Sequence, residues 1–121
     1  MIPRSEHSSS IITEVARWPI EGMEGKEGRI LTVEYPPGVH TPAHRHPGWM
    51  FVRVLEGKAV SRMKGEPARE YGLGEVWYEG RDHLHLDAGN DSPDSRSKIL
   101  VFYLTEPGQP VLVPEEASKP V

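Results

Sequence analysis

The sequence contains no cysteine, which excludes disulfide bonds, thiolate metal ligands and a cysteine nucleophile. Its 14 Lys and Arg residues are scattered, and against 18 Asp and Glu residues they leave a formal charge of −4. Because a surface that follows nucleic-acid phosphates needs clustered cations, we expect no nucleic-acid partner. The chain also lacks an apolar run long enough to cross a bilayer and an N-terminal secretion signal. We therefore expect a cytoplasmic protein without a membrane partner.

Turn-forming residues, by contrast, are abundant. Glycine and proline contribute 12 residues each to a chain of 121, and they separate short apolar runs. The predicted strands are 11–17, 29–35, 49–56, 58–63, 75–79, 84–88 and 97–105. Short strands at this spacing predict an all-β sandwich or barrel. The length fits one domain. We expect a flexible lead over 1–10, a β-barrel domain over 11–105, and a proline-rich tail over 106–121 that lies on the surface or frays.

His44 and His46 form the first candidate site. On an extended strand, side chains two residues apart point to the same face, so the two imidazoles are expected to face inward together. Imidazole binds zinc, copper, iron and nickel, and two imidazoles provide half of such a site. Short His-x-His pairs also arise by chance on surfaces, so the pair alone leaves both interpretations open.

The surroundings of the pair resemble a known motif. Residues 38–46 are similar to the start of the first cupin motif, Gly-x5-His-x-His-x3/4-Glu-x6-Gly, and Gly57 falls at its closing glycine. Met50 stands where cupins usually have the motif's glutamate. Strand alternation places Met50 on the same face as the histidine pair.

Residues 74–90 resemble the second cupin motif, Gly-x5-Pro-x-Gly-x2-His-x3-Asn, more loosely. Its histidine is His85. Gly80 and Asp82 stand at the usual Pro and Gly positions, and Asn90 comes one residue late. The resemblance implies a jelly-roll β-barrel in which His44, His46 and His85 bind one divalent metal ion. The ion is Fe, Mn, Zn, Ni or Cu, and the sequence does not decide among them.

The resemblance also implies a site without a carboxylate, because Met50 replaces the glutamate. Met50 is expected to line the wall, with direct ligation through sulfur as the alternative. A divalent ion held by three neutral imidazoles keeps its full double charge. Such a site is expected to prefer anionic chelating ligands, such as an enolate, a hydroxy-acid or a β-diketonate.

Other residues are candidates for the surroundings of the metal. His83 lies two residues before His85 and is the predicted acid/base group, with a turn histidine as the alternative. The predicted substrate pocket consists of Met50, Trp77, His40 and Tyr103. His7 lies in the polar lead and is expected to be uninvolved.

The expected function follows from the resemblance to the three-histidine iron cupins that cleave diketones or oxidise thiols. We expect a small metal-dependent dioxygenase-type oxidoreductase. Two alternatives stay open, a non-catalytic metabolite- or metal-binding cupin and an isomerase or lyase acting on a sugar or uronate. Alternation from His46 turns Phe51 outward, and such exposed apolar positions predict a homodimer.

Overall fold

The computed structural model describes residues 10–115, and every structural statement below concerns that part of the chain. Residues 1–9, including His7 and most of the predicted lead, and residues 116–121 lie outside it. The strands are β1 (Ile11–Pro19), β2 (Glu27–Tyr35), β3 (His40–Thr41), β4 (His44–Arg45), β5 (Gly48–Glu56), β6 (Ala59–Met63), β7 (Arg69–Tyr71), β8 (Val76–Glu79), β9 (His85–Gly89), β10 (Ser97–Thr105) and β11 (Val113–Pro114). No helix in the described part is long and apolar enough to cross a membrane.

The strands form two antiparallel sheets that face each other as a jelly roll. The first sheet has the order β1-β2-β10-β5-β8. The second has the order β11-β4-β9-β6-β7, with β3 added on β9. The predicted all-β fold is therefore confirmed.

The core lies between the sheets because the long strands alternate strictly. On β5, Met50, Val52 and Val54 are buried, whereas Phe51 between them is 49% exposed. This confirms the inward and outward positions predicted for β5. The other buried apolar side chains are Leu31, Val33, Tyr35, Ala59, Ala88, Ile99, Val101 and Tyr103. Each large side chain buried in this way contributes about 1.5–3 kcal/mol to folding.

Strand boundaries differ from the prediction where pairing, not composition, sets them. β1 extends two residues beyond the predicted 11–17 to Pro19, and β2 begins at Glu27, two residues before the predicted 29–35, because Pro19 and Glu27 are opposed in the antiparallel register. The short strands β3, β4, β7 and β11 were not predicted. Each has two or three residues and exists only through its hydrogen-bonded partner.

The beginning of the predicted tail is part of the barrel. β11 pairs with β4, and Pro114 is opposite His44 in that register. Val111 and Leu112 line the internal cavity described below. The residues just after β10 thus cover one side of the site while staying partly exposed.

Asn90 fixes the end of β9, the strand that carries His85. Its buried amide donates to the carbonyls of Tyr35 at 3.0 Å and Ser95 at 2.7 Å. The amide oxygen accepts from the backbone N–H of Ser92 at 2.9 Å. A single side chain therefore joins β2, β9 and the loop before β10.

Candidate metal centre

The three predicted ligands lie together inside the barrel. His44 is on β4, His46 follows it directly, and His85 on β9 is the register partner of His44. The side chains are 3%, 6% and 2% exposed. One ring nitrogen from each lies within 4.8 Å of the other two. Three buried histidines can thus hold one metal ion.

Backbone carbonyls fix the protonation of two of these rings. Nδ1 of His44 lies 2.7 Å from the carbonyl oxygen of Pro42, and Nδ1 of His46 lies 2.7 Å from that of Val111. A carbonyl oxygen only accepts, so each Nδ1 carries the hydrogen that it donates. The neutral ring then has its lone pair on Nε2, the atom left for a metal.

His85 is held by a different contact. Its Nε2 lies 2.8 Å from the buried hydroxyl of Ser61 on β6. Nδ1 is the nitrogen that faces the interior, 3.0 Å from Glu79 Oε1. A hydroxyl both donates and accepts, so this contact orients the ring, and a metal at Nδ1 would require the tautomer that donates Nε2–H to Ser61.

Glu79 corrects the expectation of a site without a carboxylate. This residue ends β8 and is 3% exposed. Its Oε1 lies 3.0 Å from Nε2 of His46 and 3.0 Å from Nδ1 of His85. The prediction was wrong because it followed only the first motif, whereas the carboxylate comes from the strand paired with Met50.

The charges of the site follow from burial and proximity. Burial and the neighbouring His46 lower the pKa of His44 to about 4, so this ring is neutral at pH 7. Burial alone would raise the pKa of the Glu79 carboxyl, but the imidazoles of His46 and His85 outweigh it and hold the pKa below its usual range. Glu79 is thus a carboxylate at neutral pH.

The arrangement of these buried donor atoms is explained better by a bound metal ion than by hydrogen bonds among them. Glu79 Oε1 and His85 Nδ1 are both buried and, in the described part of the chain, neither has a hydrogen-bond partner with acceptable geometry. Buried polar atoms without partners are costly and uncommon. An ion between them would satisfy both, and nitrogen and carboxylate oxygen are suitable ligands for divalent transition metals.

A cavity of about 40 Å³ adjoins the donor atoms. Its walls are mostly apolar and come from both sheets and from Val111 and Leu112. Met50 and Trp77 are among the lining residues, as predicted for the substrate pocket. His40 and Tyr103, the other two predicted pocket residues, do not line it.

His40 and Tyr103 have other contacts. His40 lies 2.9 Å from Asp87 through Nδ1 and 2.7 Å from Asp91 through Nε2, at the partly exposed edge of the sheet. The Tyr103 hydroxyl donates to the carbonyl of Pro110 at 2.9 Å. Tyr103 thereby positions the segment whose next carbonyl, that of Val111, accepts from His46.

His83 does not share the buried face of His85. It is exposed in the turn before β9, and its ring lies against Gly80. It lines a wider cleft of about 530 Å³, together with Arg69, Tyr71 and Trp77, and Trp77 also lines the cavity beside the imidazoles. A catalytic role for His83 stays a prediction.

The sequence contained a weak signal for Glu79. Trp77 and Glu79 are two residues apart on a predicted strand, so they are expected to share a face. Glu79 also directly precedes Gly80, which stands at the motif's usual proline position. Nothing in the sequence, however, stated that β8 pairs with β5 at Met50. Without that pairing, Glu79 could not be distinguished from Glu75 as the glutamate that lies inside the barrel.

Comparison with known proteins agrees with this geometry. The family model for the cupin domain matches residues 31–103, which is more than half of the chain. The chain belongs to the cupin family. The match includes all three histidines and Glu79. No match was found among curated protein sequences.

Several solved cupin-like structures share the fold. The DMSP lyase DddQ from Ruegeria pomeroyi DSS-3 is 24% identical with a TM-score of 0.65, over 77% of this chain and 45% of the lyase. A cupin-like protein from Thermotoga maritima is 22% identical with a TM-score of 0.64, over 86% of this chain and 74% of that one. Recombinant oxalate oxidase in complex with glycolate is 20% identical with a TM-score of 0.69, over 88% of this chain and 55% of the oxidase. The chain thus spans under half of the lyase and about half of the oxidase. At these identities the likeness establishes the fold alone.

Proposed function

We propose that this cupin is a mononuclear metalloenzyme, a dioxygenase-type oxidoreductase that acts on a small chelating anion. The observation that carries the proposal is the convergence of three imidazole nitrogens and one buried carboxylate beside a mostly apolar cavity. His44, His46 and His85 would hold the ion. When bound, a divalent ion supplies Lewis acidity, and a redox-active one also supplies electron transfer.

The protein groups set the charge that a substrate meets. Three neutral imidazoles and one carboxylate leave a divalent ion with one net positive charge, instead of the two expected from histidines alone. The preference for an anion is retained but weaker. Because the ligands are buried and the walls are mostly apolar, this remaining charge acts at a lower dielectric than it would in bulk water.

The cavity limits the size of the substrate. A volume of about 40 Å³ accommodates only a few atoms beside the ion. Of the chelators expected from the sequence, a short hydroxy-acid fits this space better than a β-diketonate. The similar fold of oxalate oxidase in complex with glycolate, a two-carbon hydroxy-acid, supports the same substrate class.

A lyase is the second candidate because of Glu79. A buried carboxylate next to the ligands can accept a proton from a bound substrate, which a carboxylate-free site would not offer. The similar fold of DMSP lyase is compatible with it. A sugar or uronate, by contrast, is larger than the cavity.

The proposal is tested by metal analysis followed by a substrate screen. Protein purified without added metal is analysed for bound ions, and oxygen consumption is measured with glycolate, oxalate and larger chelators. Replacing His44, His46 or His85 by Ala should lower metal content about tenfold or more, since even residues that only orient ligands contribute that much. His40→Gln, a histidine outside the cavity, is the matched control and should keep its metal.

Two results would contradict the proposal. Metal content that is unchanged in all three alanine variants would exclude this site. Full metal occupancy without turnover of any anion, with or without oxygen, would favour a non-catalytic binding protein instead.

A further inference from the structure

We propose that Glu79 is the fourth protein ligand of the metal, that it binds through Oε1, and that Trp77 is the residue that positions this carboxylate. The inference rests on the proposed metal site and is independent of the proposed reaction. It replaces the ligand that the first motif lacks at Met50 with a residue from a different strand.

The first argument is the spacing of the donor atoms. Oε1 of Glu79 lies 3.0 Å from a ring nitrogen of His46 and 3.0 Å from one of His85. Ligands at right angles with metal bonds of about 2.1 Å are about 3 Å apart. The lack of hydrogen-bond geometry at Oε1 and at His85 Nδ1 agrees with atoms that point toward a shared centre.

The second argument is the register between β5 and β8. Met50 and Glu79 are direct partners in this antiparallel pair, and both side chains are buried in the wall of the cavity. A side chain at one position can therefore reach the space beside the other. β8 thereby provides, at the same level of the barrel, the carboxylate that β5 lacks.

The third argument concerns the second carboxylate oxygen. Trp77 lies two residues before Glu79 on β8, and its Nε1 donates to Oε2 at 2.8 Å. An indole N–H only donates, so Oε2 is held as an acceptor and Oε1 is the oxygen free for a metal. The Trp77 ring itself packs on Tyr71, with ring centroids 4.4 Å apart. Trp77 thus selects single-oxygen binding by Glu79.

This arrangement makes glutamine a poor substitute. If the Gln oxygen faces the ion, its NH2 group meets the indole N–H, and two donors oppose each other. If the oxygen instead accepts from Trp77, the NH2 group faces the ion and cannot ligate it. Glu79→Gln therefore loses one contact in either orientation, and the added change Trp77→Phe removes the conflict.

The test is titration of the metal-free protein with Mn²⁺ and with Co²⁺, whose visible absorption reports its ligands. Glu79→Gln should weaken Mn²⁺ binding about a hundredfold and change the Co²⁺ spectrum, since residues that only orient ligands already contribute about 10–100-fold. Trp77→Phe alone should weaken Mn²⁺ binding about tenfold. Glu79→Gln with Trp77→Phe should bind Mn²⁺ more tightly than Glu79→Gln alone.

A ligand exchange provides the second, independent variant. Met50→Glu combined with Glu79→Met returns the carboxylate to β5 and should recover most of the Mn²⁺ affinity. Glu70→Gln, an exposed glutamate on β7, is the control and should bind both ions as the unmodified protein does. Circular dichroism of each metal-free variant verifies that it is folded.

Mn²⁺ affinity within twofold of the unmodified protein for Glu79→Gln, with an unchanged Co²⁺ spectrum, would overturn the assignment of Glu79. Unchanged affinity in Trp77→Phe would overturn the positioning role of Trp77. Neither readout uses turnover. A protein that oxidises no substrate but loses Mn²⁺ affinity in Glu79→Gln would thus contradict the proposed function and support this inference.

Discussion

The hydroxyl of Ser61 lies 2.8 Å from Nε2 of His85, and both groups are buried. This contact connects β6 to β9 and fixes which nitrogen of His85 faces the donor cluster. Ser61→Ala should therefore weaken metal binding about 10–100-fold, the usual effect of removing a residue that orients a ligand. It should also destabilise the metal-free protein by about 1–3 kcal/mol, because the buried Nε2 loses its hydrogen-bond partner.

A second buried serine provides the control for Ser61. The hydroxyl of Ser97 on β10 is buried and has no hydrogen-bond partner within residues 10–115. Ser97→Ala removes an unsatisfied group, so it should leave stability unchanged or slightly higher. Urea unfolding and metal titration of both variants distinguish the two. Equal losses of stability and of metal affinity in the two variants would mean that the Ser61 contact contributes only through packing.

We expect His40 to stabilise the fold more at low pH than at high pH. Burial lowers the pKa of His40, but Asp87 and Asp91 outweigh burial and raise it above its usual value. A raised folded pKa means that the stabilisation is complete below the unfolded pKa, about 6.5, and is lost as pH rises through the folded value.

The comparison is unfolding of metal-free protein and of His40→Gln at pH 5.5 and pH 8.5. The stability difference between the two proteins should be larger at pH 5.5, by about 0.2–1 kcal/mol for such partly exposed pairs. Subtracting the free energy of unfolding of the variant from that of the unmodified protein at each pH removes the contributions that the two proteins share. A difference that is the same at both pH values, or larger at pH 8.5, would contradict the expected sign.

A homodimer stays a prediction, and the outer face of the first sheet is where we expect it. Phe51 lies between Tyr78 and Phe102 on this face, with ring centroids 5.2 and 6.1 Å apart, and all three rings are largely exposed. Sedimentation should give a dimer at micromolar concentration. Phe51→Glu should convert it to monomer, whereas Val113→Glu, an exposed position on the other sheet, should not. A monomer in the unmodified protein would refute the prediction.

His83→Gln should keep its metal content and, if His83 is the predicted acid/base group, lose turnover. The ring is exposed and lines the wider cleft, which meets the cavity beside the imidazoles at Trp77. An acid/base group would have to reach the reacting atoms, and its loss would lower turnover about a hundredfold or more. Steady-state rates of the two proteins decide between the roles. A loss of that size with metal retained would support the acid/base role, and unchanged turnover would leave His83 as a turn residue.

The sequence by itself determined the all-β fold, the inward face of β5 and the identity of the three converging histidines. These features depend on local regularities. Strand alternation has a period of two, so residues two apart, such as His44 and His46, are expected to share a face, and Met50 faces inward together with Val52 and Val54 on β5. His85 was identified because it stands at the histidine position of a family motif. The residues of that motif meet in the folded protein although they are distant from the first motif in the sequence.

Only the tertiary structure decided which further groups complete the centre. Glu79 became a site residue because β8 pairs with β5 in one register, and a shift by one residue would turn its side chain to the other face. The carbonyls of Pro42 and Val111 select the free nitrogens of His44 and His46, and the hydroxyl of Ser61 orients His85, although backbone carbonyls carry no sequence signature. The separation of His83 from His85 has the same origin, since alternation does not hold across the turn that precedes β9. Local patterns are encoded residue by residue, whereas contacts between distant strands depend on how the whole chain packs.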